Sequence, residues 1–110
     1  LLKLHNELSE VLAVYKPESA AIEKTYVNVS SDSSLKLAHA RSAAMLSTKI
    51  FGINIAEYQA KTIKKTLTGS GAADKTQMLQ MVNYFMPKAQ IVNADEADAL
   101  AIAICHGFYS

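Results

Sequence analysis

Apolar side chains recur about every three to four positions at the start of the chain, with Leu4, Leu8, Leu12 and Tyr15 on one stripe. This period predicts a helix from Leu1 to about Lys16, stopped by Pro17. Ser19-Ala20-Ala21-Ile22 is a short small-and-apolar run that fits a strand buried on both faces, and it ends abruptly in Glu23. Thr25 to Ser34 is polar and reads as loop. Ser33 or Ser34 then caps a second helix to about Phe51, closed by Gly52, whose face Leu37, Ala40, Ala44, Thr48 is rich in small side chains. Ile53 to Tyr58 alternates and begins β-branched, which predicts a second strand. A helix follows with Ala60, Ile63 and Leu67 inward and its lysines outward, broken at Thr68-Gly69-Ser70-Gly71. Asp74 to Met86 forms another, with Met78, Val82 and Phe85 as its buried stripe, and Pro87 closes it. From about Ala94 to His106 a last helix presents Ala97, Ala101 and Ile104 as an apolar face. Helix, strand, helix, strand and three helices describe an α/β domain with parallel strands. Two strands are few for a free-standing sheet, so further strands are expected upstream.

Composition narrows the class. At 110 residues, half of them apolar and 19% charged, with four Gly and two Pro, residues 1–110 read as one ordinary globular domain. No apolar run approaches the roughly 20 residues that cross a bilayer, so no membrane partner is expected. Cys105 is the only cysteine, which excludes an intrachain disulfide and is compatible with a reducing cytoplasm. The net charge of +1 conceals an uneven distribution. Lys61, Lys64, Lys65 and Lys75 stand against Asp74 alone, whereas Asp95, Glu96 and Asp98 near the end face no Lys or Arg. A basic stretch and an acidic cluster in one small domain suit a protein that grips a polyanion and binds cations beside it; two solvated faces would look the same.

Glu23 occupies the C-terminal end of a predicted buried strand, where open α/β sheets place ligand-binding groups, although it is also simply the first solvated residue after that strand. Asp95 and Asp98, three apart on a predicted helix, share a face. Acids in a first helical turn are favoured by the dipole and Asp95 is well placed to cap it, but the rest of that helix is apolar nearly all round, and two carboxylates at its buried end repel unless a cation neutralises them. Hard oxygen ligands without paired Cys or His select Mg²⁺ or Mn²⁺ over zinc. Lys64 and Lys75 bracket a Gly-Ser-Gly turn able to approach phosphates, and no P-loop spacing is present. Tyr26 follows Glu23 by three in a polar loop, where it would stack on an unpaired base or anchor a core. His39, His106 and Cys105 read as structural, and Met78, Met81 and Met86 as core.

Four segments in order and spacing carry a family resemblance: Ala21-Ile22-Glu23, Ser34-Leu35-Lys36-Leu37-Ala38-His39-Ala40-Arg41, Lys64 through Gly69-Ser70-Gly71-Ala72-Ala73-Asp74-Lys75, and Ala94-Asp95-Glu96-Ala97-Asp98-Ala99-Leu100-Ala101-Ile102-Ala103. Together they resemble the RuvC family of Holliday-junction resolvases along nearly the whole chain. The resemblance implies a ribonuclease H-like fold and a homodimer in the bacterial cytoplasm that works with a branch-migration motor. It implies Mg²⁺-dependent cutting of four-way DNA junctions in recombination and repair, with Mn²⁺ as a substitute ion. Glu23, Asp95 and Asp98 match three of the family's four metal-binding acids, Lys64 and Lys75 match lysines near the scissile phosphate, and Tyr26 stands where the family has a stacking aromatic. The second helix, through Leu37, Ala40 and Ala44, is the expected dimer contact.

One departure matters: the family's first-strand Asp, within a Gly-Ile-Asp-Pro-Gly-like motif, has no counterpart here. The expectation is therefore a ribonuclease H-like fold lacking its first three strands, inactive and poorly stable as residues 1–110 alone. Two alternatives stand beside it: a non-catalytic junction-DNA-binding module of the same fold, and a structural or regulatory protein without a DNA role, against which the bracketing lysines weigh.

Overall fold

A computed structural model describes residues 1–24 and 32–110. Its elements are α1 (Leu2–Tyr15), β1 (Ser19–Glu23), α2 (Asp32–Ile50), β2 (Asn54–Tyr58), α3 (Ala60–Thr68), α4 (Lys75–Phe85) and α5 (Ala94–Tyr109). β1 and β2 pair as a two-stranded parallel sheet, extended by the Lys24 amide donating to the Tyr58 carbonyl at 2.8 Å. Contacts gather the chain into two compact units. The described residues of the first fall within Leu1–Ala20 and Thr25–Ala56; the second comprises Ala21–Lys24 and Glu57–Ser110.

In the first unit α1 packs on α2. Leu12 is buried and Leu4 and Leu8 are half-buried, as the stripe predicts, but Tyr15 is 77% exposed. The reason is position: every residue from Ala13 to Ser19 is exposed, so Tyr15 lies beyond the covered length of α1, which ends where Lys16 turns left-handed at φ 46°. α2 begins at Asp32, placing Ser33 and Ser34 inside its first turn instead of at its cap, with Asp32 favoured there by the helix dipole. Its end is a Schellman pair: Gly52, at φ 74°, donates to Lys49 O at 2.9 Å and Ile53 donates to Thr48 O at 3.3 Å. The buried hydroxyls of Ser47 and Thr48 donate back to the carbonyls of Ala43 and Ala44, each at 2.8 Å. Ser47 Oγ also lies 2.6 Å from His5 Nδ1. Since its one proton goes to Ala43, the oxygen accepts here, which puts the His5 proton on Nδ1.

In the second unit α3, α4 and α5 pack on one another around Ile63, Leu67, Val82, Ala101 and Cys105. Met78 and Met81 pack against this cluster, whereas Phe85 and Met86 remain 37% and 39% exposed. Phe85 sits in the last turn of α4 and meets Tyr84 and Phe108 edge-on, at 5.5 and 5.7 Å between ring centres, instead of entering the core. α5 continues past His106 through Gly107 to Tyr109, and Ser110 N closes it on His106 O at 3.0 Å.

Candidate active site

A cavity of about 450 Å³ in the second unit brings together residues distant in sequence: Glu23 from the end of β1, Lys64 from α3, Asp74 and Lys75 from the start of α4, and Asp98 from α5. Ile63, Met78, Ala101 and Ile102 supply apolar wall. Each placement has a local cause. β1 ends at Glu23, leaving its half-buried carboxylate at the C-terminal edge of the strand. Ile63 and Leu67 fix the inner face of α3, which leaves Lys64 half-buried beside them. On α5 the buried stripe is Ala97, Ala101, Cys105, and Asp98 lies one residue round from it, in the helical row of the two lining residues Ala101 and Ile102.

The expected constellation is thus gathered in part. Glu23, Lys64, Lys75 and Asp98 share the cavity; Asp95 is outside its lining. Asp95 and Asp98 are both exposed, not held at a buried helix end, because α5 buries a stripe and not its whole circumference. Among the described residues, no three His, Cys, Asp or Glu side chains stand close enough to hold one ion. Capping of α5 falls to neither acid. Asn93 does it, its Oδ1 accepting from Asp95 N at 2.8 Å and Glu96 N at 3.2 Å. Tyr26 lies outside the described residues.

Three features were not anticipated. Asp74 joins the lining as the N-cap of α4, in a capping box with Gln77; the Asp-x-x-Gln spacing was the available signal. Asn93, two residues before Asp95, carried a cap signal of the same kind. The third is a bond between Tyr58 OH and His106 Nδ1 at 2.5 Å, joining the end of β2 to the last turns of α5. Burial pushes the Tyr58 phenol above its ordinary range, and the Cys105 thiol and Tyr109 phenol act in the same direction, so it stays protonated through neutral pH. A tyrosine and a histidine 48 positions apart give no local pattern to read.

The family model for crossover junction endodeoxyribonuclease RuvC matches residues 1–106. The chain belongs to the RuvC family. It is 48% identical over 109 residues to the crossover junction endodeoxyribonuclease RuvC of Bradyrhizobium diazoefficiens, covering 99% of this chain and 62% of that relative. The Acidiphilium cryptum RuvC is 49% identical over 102 residues, or 93% of this chain and 61% of the relative. The chain therefore spans about three fifths of the length of the curated relatives it matches. The solved Thermus thermophilus RuvC superposes with a TM-score of 0.84 at 30% identity, covering 97% of this chain and 65% of that one. A second structure, T. thermophilus RuvC in complex with Holliday junction substrate, gives 0.82 at 29% identity, covering 97% and 66%. The α/β architecture expected from the sequence is that of the family's ribonuclease H-like fold.

Proposed function

We propose that this chain supplies the larger part of a nuclease domain that cuts four-way junction DNA in recombination and repair, with Mg²⁺ as cofactor and Mn²⁺ as a substitute. The observation that carries this is the convergence of Glu23, Asp98, Lys64 and Lys75 on one cavity in a chain of the RuvC family. Phosphodiester hydrolysis requires an activated water and compensation of charge on the phosphate and departing oxygens. Carboxylates are hard donors, and Mg²⁺ is commonly bound by one or two of them, completing its shell with water and substrate phosphate oxygens. The residues present fit such an ion. Glu23 and Asp98 would hold it, with Asp95 about one turn earlier on α5 as a further donor; when bound, it would lower the pKa of water and stabilise the leaving oxygen. Lys64 and Lys75 fix the scissile phosphate and balance its developing charge. Tyr26 stacks on a base opened at the junction. Two such domains pair through α2 and work with a branch-migration motor in the bacterial cytoplasm.

The test uses this chain completed with the remainder of a curated relative and a synthetic four-way junction. Glu23→Gln and Asp98→Asn are expected to lower single-turnover cleavage on the order of 10²- to 10³-fold, the scale of losing one transition-state-stabilising group, while junction binding is retained. Undiminished cleavage by the Asp98→Asn protein would defeat the assignment. The second reading is a junction-binding module without catalysis. Tight junction binding with no cleavage by the unsubstituted protein would establish that reading.

A further inference from the structure

The segment between Lys64 and Lys75 is held by a run of its own hydrogen bonds. Gly69 leaves α3 in the left-handed region, at φ 85°, with its amide on Lys65 O at 2.8 Å. Ser70 N donates to Thr68 Oγ1 at 3.1 Å, Ala72 N to Ser70 Oγ at 3.2 Å, and Ala73 N to Ser70 O at 3.3 Å, with Ala73 itself buried. A Cβ on Gly71 would stand 2.7 Å from Lys61 Cγ, so the stem of Lys61 lies against the turn. At the far end Gln77 N donates to Asp74 Oδ1 and Asp74 N donates to Gln77 Oε1, both at 2.8 Å. Lys75, the first residue of α4, lies between those partners, and Gln77 is not part of the cavity lining.

We propose that the Asp74–Gln77 capping box positions Lys75, and that Gln77, itself outside the cavity lining, acts on the chemistry of the cavity chiefly through that lysine. This rests on the nuclease reading given above. A lysine places its charge at the end of a flexible four-carbon stem, so the position of its ammonium depends on how firmly its backbone is anchored. The first turn of a helix is where anchoring is weakest, since its amides lack intrahelical partners. The Asp74 side chain satisfies one of them. The Gln77 side chain secures the amide of Asp74 itself, and so fixes the backbone entering Lys75. Without Gln77 the cap is one-sided and Lys75 moves with a fraying turn.

Two measurements decide it in the completed protein. ¹⁵N relaxation is expected to show residues 70–76 ordered in the unsubstituted and Gln77→Glu proteins and mobile in Gln77→Ala, because a glutamate accepts from Asp74 N as glutamine does. Single-turnover junction cleavage is expected to fall about tenfold in Gln77→Ala, to recover in Gln77→Glu, and to show no further loss when Gln77→Ala is added to Lys75→Ala. Unchanged order in the Gln77→Ala protein overturns the proposal, and so does a Gln77→Ala defect that persists undiminished in the Lys75→Ala background. If the unsubstituted protein cuts no junction, the nuclease reading fails, and the relaxation comparison alone still judges the anchoring of Lys75.

Discussion

In the second unit the buried core is apolar, with Ile63, Leu67, Val82, Ala101 and Cys105 closing on one another. In the first, the most deeply buried side chain among the described residues is Ser47, bonded to His5 and to the Ala43 carbonyl, while Leu1, Leu2, Val11, Val14, Leu37, Leu46 and Ile50 stay exposed. The candidate site lies wholly on residues of the second unit. Non-directional packing of three helices gives its charged side chains a stiff base. The α1–α2 pair adds a directional bond, His5 to Ser47, to the packing of Leu4, Leu8 and Leu12, and the exposed apolar side chains of α2 are in keeping with the dimer contact proposed there.

The contrast breaks most visibly at Leu67, which is 3% exposed. Leu67→Ala is expected to lower the unfolding free energy by about 2–5 kcal/mol, transfer loss plus cavity, measured by urea denaturation; a loss below about 1 kcal/mol would mean the core closes without it. Ser47→Ala is expected to cost less, about 1–3 kcal/mol, because it leaves His5 Nδ1–H facing no acceptor. Adding His5→Ala should then cost little more, and additive losses would show the two side chains to be independent. The smallest effect on the protomer is expected at Leu37, which is 56% exposed. Leu37→Arg should leave its stability within about 0.5 kcal/mol yet convert dimers to monomers in sedimentation; an unchanged mass would move the dimer contact off this face.

The elements were legible because their punctuation is strong. Pro17, Gly52 and Gly69 mark the ends of α1, α2 and α3 within a residue or two, and Asp74 marks the start of α4. Side-chain environment was less so. The α5 sequence is apolar nearly all round, and from that its two acids were placed at a buried end; only the packing of α3 and α4 selects Ala97, Ala101 and Cys105 and leaves Asp95 and Asp98 exposed. Tyr15 and Phe85 follow the right period yet sit in terminal turns, where periodicity continues after the neighbouring element has stopped. For the cavity, Glu23, Lys64, Lys75 and Asp98 could be named from residue type, strand end and family resemblance. That Asp95 falls outside its lining depends on the rotation of α5, which no short window of sequence encodes, whereas the Asp74 cap could be read from the Asp-x-x-Gln spacing.

Cys105 gives the second unit a chemical clock. Its thiol is fully buried at the centre of the apolar cluster, with Sγ 3.6 Å from Thr66 Oγ1, and it is the chain's only cysteine. A thiol reagent can reach it only when α3, α4 and α5 part, so the rate of labelling counts those openings directly. Where closing outruns the reagent, that rate reports the free energy of opening under fully native conditions. The platform beneath Glu23, Lys64, Lys75 and Asp98 can thus be timed without denaturant, and with the proposed metal or junction DNA present or absent.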